Sequence, residues 1–189
     1  MTDDQDSTRD RIVAAGVALL AEDGLDGVGL RSITRRAGVS HGAPRRYFPT
    51  HRALLAAIAR TGVDDLAAEL MPQLTDTGLA PRDRLVAAGG SYLDFARRRR
   101  AMFELMFRHD ILDGAGGFLR TVSIPLATAV HDVVTGEIAD DDWVRTLGLW
   151  GALHGLAVLV ANRVLEPLTE LRDVDIDMVV RRAVDTALG

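Results

Sequence analysis

Apolar side chains recur every three or four residues along most of this chain, which is the spacing that places them on one face of an α-helix. The clearest segment runs from Asp175 to Leu188. Its apolar positions are Ile176, Val179, Val180, Ala183, Val184 and Ala187. The pattern predicts an all-α fold of about nine helices.

Glycine, proline and capping residues divide the pattern into separate helices. Ser7 is a suitable start for the first helix, and Asp23-Gly24 ends it. Met71-Pro72 is expected to end the longest helix of the first half. The helices predicted after the first cover residues 30–37, 40–47, 50–70, 82–95, 118–134, 143–165 and 175–188.

Two short helices joined by a glycine turn are predicted over residues 30–52. The first ends at Gly38, because glycine adopts the left-handed conformation that a helix stop requires. Ser40 is a suitable N-cap for the second helix, and Thr50 for the helix that follows. This arrangement is the helix-turn-helix, whose second helix lies in the DNA major groove.

The charge of this stretch supports an interaction with DNA. Between Gly27 and Arg52 there is no acidic residue, although the whole chain has a net charge of -5. The six arginines of the stretch are Arg31, Arg35, Arg36, Arg45, Arg46 and Arg52. Neutralising phosphates requires such a local surplus of positive charge. A solvated charged face on an ordinary helical hairpin is the competing interpretation.

The candidate DNA-binding residues lie on the first helix, the turn and the second helix. They are Arg31, Ser40, His41, Gly42, Ala43, Arg45, Arg46 and Tyr47. Arg45 or Arg46 could form a bidentate bond to guanine, which is worth about 1 to 3 kcal/mol of discrimination. The sequence does not decide between these two arginines, nor between a phosphate contact and a packing role for Tyr47.

The run GVGLRSITRRAGVSHGAPRRYFPTHRALL resembles the DNA-binding segment of the tetracycline-repressor (TetR) family of bacterial regulators, over roughly residues 9 to 60. The resemblance implies a helix-turn-helix domain over residues 1–51 and a larger helical domain over 52–189 that binds an effector and dimerises. His51 stands where the family usually has Lys, so it joins the candidate DNA-binding residues. Gly29 stands where a capping Thr or Ser is common, and Arg45 where a Tyr often touches phosphate.

A dense aromatic and methionine cluster in the second half is a candidate wall of an effector pocket. Core packing explains most of this cluster, but methionine adapts its shape to varied apolar ligands, which makes a pocket wall a reasonable hypothesis. The ligand-binding candidates are Phe95, Met102, Phe103, Met106, Phe107, Phe118, Trp150 and His154. Trp150, His154 and Gly155 resemble a Trp-x3-His-Gly signature of one TetR subgroup, and a structural histidine bonded to a neighbour is the alternative role for His154.

The helix predicted over residues 143–165 is apolar on most sides and therefore requires cover on most sides. Gly148, Gly151 and Gly155 would let a second helix approach it closely. We therefore expect the last two helices to pair with those of a second copy in a four-helix bundle. The arginine run 97–100 is either a second basic patch or a solvated helix junction.

Composition narrows the remaining classes of protein. The chain has 189 residues, 48 % of them hydrophobic, which is enough for a sizeable core. The absence of cysteine excludes disulfides and thiolate metal sites. The acidic N-terminus lacks the pattern of a secretory signal, and the apolar stretch 147–161 is too short for a membrane span, so a cytoplasmic location is expected.

The sequence carries no glycine-rich phosphate loop, no His-Glu-x2-His and no Gly-x-Ser-x-Gly motif. We therefore predict no cofactor, no metal site and no enzymatic activity. The function predicted is a transcriptional regulator, and more specifically a homodimeric repressor that binds a palindromic double-stranded operator and is released by a small apolar or amphipathic effector. The alternative is a helical protein-interaction adaptor, or a small-molecule-binding enzyme, without DNA affinity.

Overall fold

The computed structural model describes residues 2–116, 118–137, 143–167 and 175–189, and all regular secondary structure in these ranges is helical. The helices, numbered in chain order, are α1 (Thr2–Gly27), α2 (Leu30–Ala37), α3 (Ala43–Tyr47), α4 (His51–Leu74), α5 (Pro81–Arg98), α6 (Arg100–Met106), α7 (His109–Leu112), α8 (Arg120–Glu137), α9 (Trp143–Ala161) and α10 (Ile176–Leu188). The all-α prediction is confirmed. Gly117 and the acidic run 140–142 lie outside the described residues.

Two of the predicted helix boundaries coincide with glycines in the left-handed conformation. Gly24, with φ 69°, interrupts α1 at the predicted stop. Gly38 follows α2 with φ 64° and ψ 37°, and its amide donates to the carbonyl of Thr34. The start of α4 is also as predicted, since the Thr50 hydroxyl accepts from the Ala53 amide at 3.0 Å.

The second helix of the motif is shorter than predicted. It begins at Ala43 with Gly42 as its N-cap, so the predicted N-cap at Ser40 is wrong. Pro44 explains the difference, because a residue without an N–H is tolerated in the first helical turn and not further along. The Ser40 carbonyl instead accepts from the Ala43 amide at 3.0 Å, which closes a turn ahead of the helix.

The predicted end of α4 before Pro72 is also wrong, because the helix continues to Leu74. Pro72 lies in its last turn, where a missing donor removes a single hydrogen bond. The Thr75 amide still donates to the Met71 carbonyl at 3.0 Å. Pro125 likewise lies inside α8, whereas α9 ends at Ala161 rather than at residue 165.

The chain forms two compact units. The first contains residues 1–64 and 101–119, and the second contains residues 65–100 and 120–189. Fully buried side chains in the first unit include Ile12, Leu20, Ile33, Leu54, Ile58 and Phe103, and those in the second include Phe95, Val134, Leu149 and Val184. In the second unit α5, α8, α9 and α10 pack against one another.

Close packing places α6 in the first unit, far along the sequence from α1 to α3. A Cβ built on Gly62 of α4 would lie 2.5 Å from Cγ of Met102 and 2.8 Å from Sδ of Met106. Glycine at this position therefore lets both methionines of α6 reach the surface of α4. Phe103 and Phe107 follow on the same segment, with ring centroids 5.1 Å apart.

We predict that Gly38→Ala destabilises the protein by about 1 to 2 kcal/mol, because an L-residue with a Cβ is strained in the left-handed region. Gly90 is the matched control, since it lies inside α5 and a Cβ there meets nothing within 4 Å. Gly90→Ala should leave stability unchanged or raise it by up to about 1 kcal/mol. Urea unfolding of both variants measures this, and equal stability of Gly38→Ala and the wild type would contradict the turn geometry.

Candidate nucleic-acid interface

The first unit holds α2 and α3 by a few buried side chains and leaves their polar residues in solvent. Ile33 is 0 % exposed, Phe48 is 5 % exposed and Pro44 is buried. The exposed residues of α2, the turn and α3 include Arg31, Arg35, Ser40, His41, Gly42, Arg45 and Arg46. Ala43 and Tyr47 are half-buried. The motif therefore presents one polar, cationic surface.

The arginines of this surface differ in whether they have an acidic partner. Arg36 donates to both carboxylate oxygens of Glu22, at 2.5 and 2.7 Å. The hydrogen bond from Arg36 lowers the pKa of the Glu22 carboxyl. Among the arginines of this surface, in the part of the chain that the structure describes, Arg31, Arg35, Arg45 and Arg46 have no such partner. These four guanidinium groups can bind phosphates without first breaking an ion pair.

The arginine run 97–100, at the junction of α5 and α6, pairs with carboxylates, unlike the four arginines of the motif. Arg97 pairs with Asp94 at 2.9 Å, Arg98 with Glu69 at 2.8 Å, and Arg99 with Asp65. The guanidinium of Arg99 also lies 5.3 Å from the centroid of the Phe95 ring. Three of these four charges are compensated within the second unit, which favours the solvated helix junction over a second basic patch.

His51, which was also predicted to bind DNA, makes a contact inside the protein. Its Nε2 lies 2.7 Å from the Val28 carbonyl oxygen. A carbonyl oxygen only accepts, so this nitrogen carries the proton and donates it. His41 has only a long contact, 3.5 Å from Nδ1 to the Thr34 hydroxyl.

The predicted ligand-binding residues fall into the two units separately. Met102, Phe103, Met106, Phe107 and Phe118 belong to the first unit, whereas Phe95, Trp150 and His154 belong to the second. Phe95 is fully buried and Phe118 is 74 % exposed. Each set lies within its own unit, and its residues stay candidates for ligand binding.

A hydrogen-bonded group in the second unit centres on Tyr92, which joins α5 to α9. The Tyr92 hydroxyl lies 2.8 Å from Nδ1 of His154, and the His154 and Trp150 rings are 5.7 Å apart. Burial raises the pKa of the Tyr92 hydroxyl, and a hydrogen bond from Trp150 acts in the opposite direction. The tautomer of the His154 ring decides which of the two groups donates in the bond between Tyr92 and His154.

Comparison with known proteins identifies the family from both ends of the chain. Residues 12–58 match the model of bacterial regulatory proteins of the tetR family, and residues 85–187 match the model of the tetracyclin repressor-like C-terminal domain. The chain belongs to the TetR family. It is therefore a transcriptional regulator and not an enzyme. The finer resemblance to a Trp-x3-His-Gly subgroup stays a prediction.

Solved structures agree with this assignment. A protein of unknown function from Rhodococcus sp. RHA1 is 30 % identical, with a TM-score of 0.79 over 96 % of this chain and 93 % of the other. A transcriptional regulator from the same organism is 26 % identical, with a TM-score of 0.72 over 96 % and 94 %. A TetR-family regulator from Streptomyces coelicolor shares the fold, at 16 % identity and a TM-score of 0.70 over 97 % and 95 %. No curated protein matches the chain.

One helix of this TetR regulator, Trp143–Ala161, is long and apolar enough to cross a membrane. Only 22 % of its most apolar 18-residue window is buried. Regulators of this family are soluble proteins, and a single helix of this kind does not identify a membrane protein. The exposed apolar side chains of this helix therefore require an explanation other than a membrane span.

Two buried polar groups of the second unit were not among the candidates from the sequence. These groups are Tyr92 on α5 and His131 on α8. His131 bonds the Thr146 hydroxyl at 2.9 Å and stacks on Trp143 with ring centroids 4.0 Å apart. Each pair joins residues 12 or more positions apart, so no short motif could indicate it. Among the described residues no cluster of His, Cys, Asp or Glu could hold a metal ion.

We predict that His154 makes the stability of the protein depend on pH. Burial lowers the pKa of its imidazole below the ordinary value of 6.5. As pH falls through that value the unfolded chain binds a proton before the folded chain does, so the free energy of unfolding decreases. His154→Gln cannot take up this proton, and its amide keeps both a donor and an acceptor for the Tyr92 hydroxyl.

Urea unfolding at about pH 7.5 and about pH 5.5 measures this difference. The variant should lose less of its free energy of unfolding between the two conditions than the wild type does. An identical loss in both proteins would contradict a half-buried position for His154 that lowers the pKa of its imidazole.

Proposed function

We propose that this TetR regulator is a repressor that binds a palindromic double-stranded DNA operator as a homodimer in the cytoplasm, and that a small apolar or amphipathic effector releases it. Its working domains would be residues 1–51 for DNA and 52–189 for effector and dimer. The observation that carries the proposal is the set of four arginines of α2 and α3 that have no acidic partner in the described part of the chain.

The DNA contacts follow from the exposed surface of the motif. Arg45 and Arg46 lie on α3, the helix that enters the major groove in this arrangement. We assign them the base edges or the nearest phosphates, and Arg31 with Arg35 the flanking phosphates. The short polar residues Ser40, His41, Gly42 and Ala43, with Tyr47, would line the approach to the backbone.

A second copy of the chain is the proposed cover for α9. Val144 is 74 % exposed, Leu147 is 54 % exposed and Trp150 is 49 % exposed, although all three side chains are large and apolar. A Cβ on Gly148, Gly151 or Gly155 would meet nothing within 4 Å, so this face leaves room for a closely packed helix. Met178 of α10 adds another exposed apolar side chain, at 66 %.

The effector site is proposed on chemical grounds. Trp150 and His154 of the second unit place a polar ring beside an apolar one, with ring centroids 5.7 Å apart, which suits an amphipathic ligand. Phe95 is the third candidate of this unit. A separate set of candidates lies within the first unit: Met102, Phe103, Met106, Phe107 and Phe118. An effector would act by favouring a conformation in which the two α3 helices no longer match the spacing of the half-sites.

We predict that the double variant Arg45→Ala, Arg46→Ala loses specific operator binding by at least about a hundredfold, because each lost contact costs about 1 to 3 kcal/mol. A duplex enriched from a random-sequence pool by the wild-type protein is the probe, and fluorescence anisotropy is the measurement. The variant should keep the circular dichroism spectrum of the wild type, since both side chains are exposed.

The matched control is Arg97→Ala, which removes an arginine already paired with Asp94. It should bind the operator as the wild type does. Equal affinities of the double variant and the wild type would contradict the assignment of α3 as the reading helix.

We predict that Leu147→Asp converts the dimer to a monomer, because it places an uncompensated charge in the proposed interface. Sedimentation velocity measures the change. Leu79→Asp is the control, since Leu79 is a comparably exposed leucine, 40 % in the loop before α5, and should leave the dimer intact. A monomeric wild-type protein, or a dimeric Leu147→Asp variant, would contradict dimerisation through α9.

A further inference from the structure

The guanidinium of Arg52 is held by main-chain oxygens at the end of α7. Its Nε donates to the Ile111 carbonyl at 2.8 Å, and one terminal nitrogen lies 3.2 Å from the carbonyls of Asp110 and Asp113. The last carbonyls of a helix have no partner within the helix, and α7 is only one turn long. A cation at this end also meets the negative pole of the helix. Arg52 therefore completes the hydrogen bonding of α7.

The preceding residue makes a contact of the same kind with a different segment. His51 donates from Nε2 to the carbonyl of Val28 at 2.7 Å. Val28 is 1 % exposed and lies between α1 and α2, so its main chain is fixed in the core of the motif. We call the two side chains together the His51–Arg52 clasp. It ties the first turn of α4 to the helix-turn-helix on one side and to α7 on the other.

Other contacts keep the segment after α5 against α4 and so keep the clasp closed. Arg60, two turns further along α4, donates to the Phe118 carbonyl at 3.2 Å. Met102 and Met106 of α6 fill the space beside Gly62. Leu112 of α7 is 7 % exposed. All of these residues belong to the first compact unit.

The chemistry of the clasp differs from that of a phosphate contact. The groups that would reach toward a phosphate are already donating to carbonyl oxygens, and moving Arg52 away would leave those of Ile111 and Asp113 without their side-chain donor. The Asp110 carboxylate does not hold Arg52, because it is paired with Arg108 at 2.7 and 2.8 Å. Arg52 is therefore held by the fit of its planar N–H donors to three carbonyl oxygens and not by pairing with a carboxylate.

We propose that His51 and Arg52 are positioning residues for DNA binding. They set the orientation of α3, which ends four residues before His51, by fixing the first turn of α4 to the main chain on both sides. The inference rests on the proposed function of the motif, and it assigns to both residues an internal role in place of a phosphate contact. Operator affinity then depends on the clasp without depending on its charge.

The test compares Arg52→Ala, Arg52→Lys and Arg45→Ala on the enriched duplex, over a series of salt concentrations. Each phosphate contact contributes about one unit to the slope of log affinity against log salt. Arg52→Ala should weaken binding about five- to fiftyfold, as expected for lost charge-assisted hydrogen bonds, and leave the slope unchanged. Arg52→Lys should weaken binding nearly as much, because an ammonium group keeps the charge but lacks the planar set of N–H donors. Arg45→Ala should lower the slope by about one.

Hydrogen exchange supplies the second readout, and it does not require DNA. The amides of Leu112 and Asp113 donate to the carbonyls of Arg108 and His109, at 2.9 and 3.0 Å. They should exchange faster in both Arg52 variants, because a single helical turn without its capping donor frays. His51→Phe should produce the same kind of change around Val28. Circular dichroism tests whether each variant is folded. If Arg52→Ala is unfolded, Arg52→Lys replaces it in the comparison.

A lowered salt slope in Arg52→Ala with unchanged exchange at residues 112–113 would overturn the proposal, because Arg52 would then contact phosphate. Unchanged affinity with faster exchange would also overturn it, because the clasp would then be structural only. A wild-type protein that enriches no duplex would instead refute the proposed function. Exchange in the Arg52 variants would in that case still report whether Arg52 holds α7.

Discussion

The function of the N-terminal region depends on whether each arginine has a partner within the protein. Every basic residue of the chain is arginine, and the chain as a whole is acidic. Arg36 is matched by Glu22, and Arg97, Arg98 and Arg99 are matched by carboxylates near them. The guanidinium groups of Arg31, Arg35, Arg45 and Arg46 have no such match in the described structure, so they form the cationic surface that the motif offers to DNA.

Two further arginines, Arg52 and Arg60, act through main-chain carbonyl oxygens. Arg52 and Arg60 donate to main-chain carbonyls of residues 110–118, and they hold that segment against α4 within the first compact unit. A segment from the second half of the chain is thereby held against the helix that follows the reading motif. The charge pattern of the motif alone would count Arg52 among the phosphate contacts, whereas its hydrogen bonds give it a different role.

Local chemistry explains which features could be predicted from the sequence. Gly38 and the Thr50 cap were predictable because a left-handed turn and a capping hydroxyl depend on one residue and its nearest neighbours. The start of α3 differs from the prediction because Pro44 is tolerated only in the first helical turn, which places the N-cap at Gly42 and not at Ser40. The partners of Arg36 and Arg52 lie 14 and 58 to 61 positions away, and the hydroxyl partner of His154 lies 62 positions away. Tertiary packing alone brings such pairs together, so periodicity and motifs could not indicate them.

The salt dependence of operator binding by the wild-type protein tests the central claim most directly. Four uncompensated arginines in each chain of a dimer offer at most about eight phosphate contacts, so log affinity should fall with log salt at a slope between about −4 and −7. A slope shallower than about −1 would show that these arginines do not bind phosphate. That result would contradict the assignment of α2 and α3 as the DNA-binding surface.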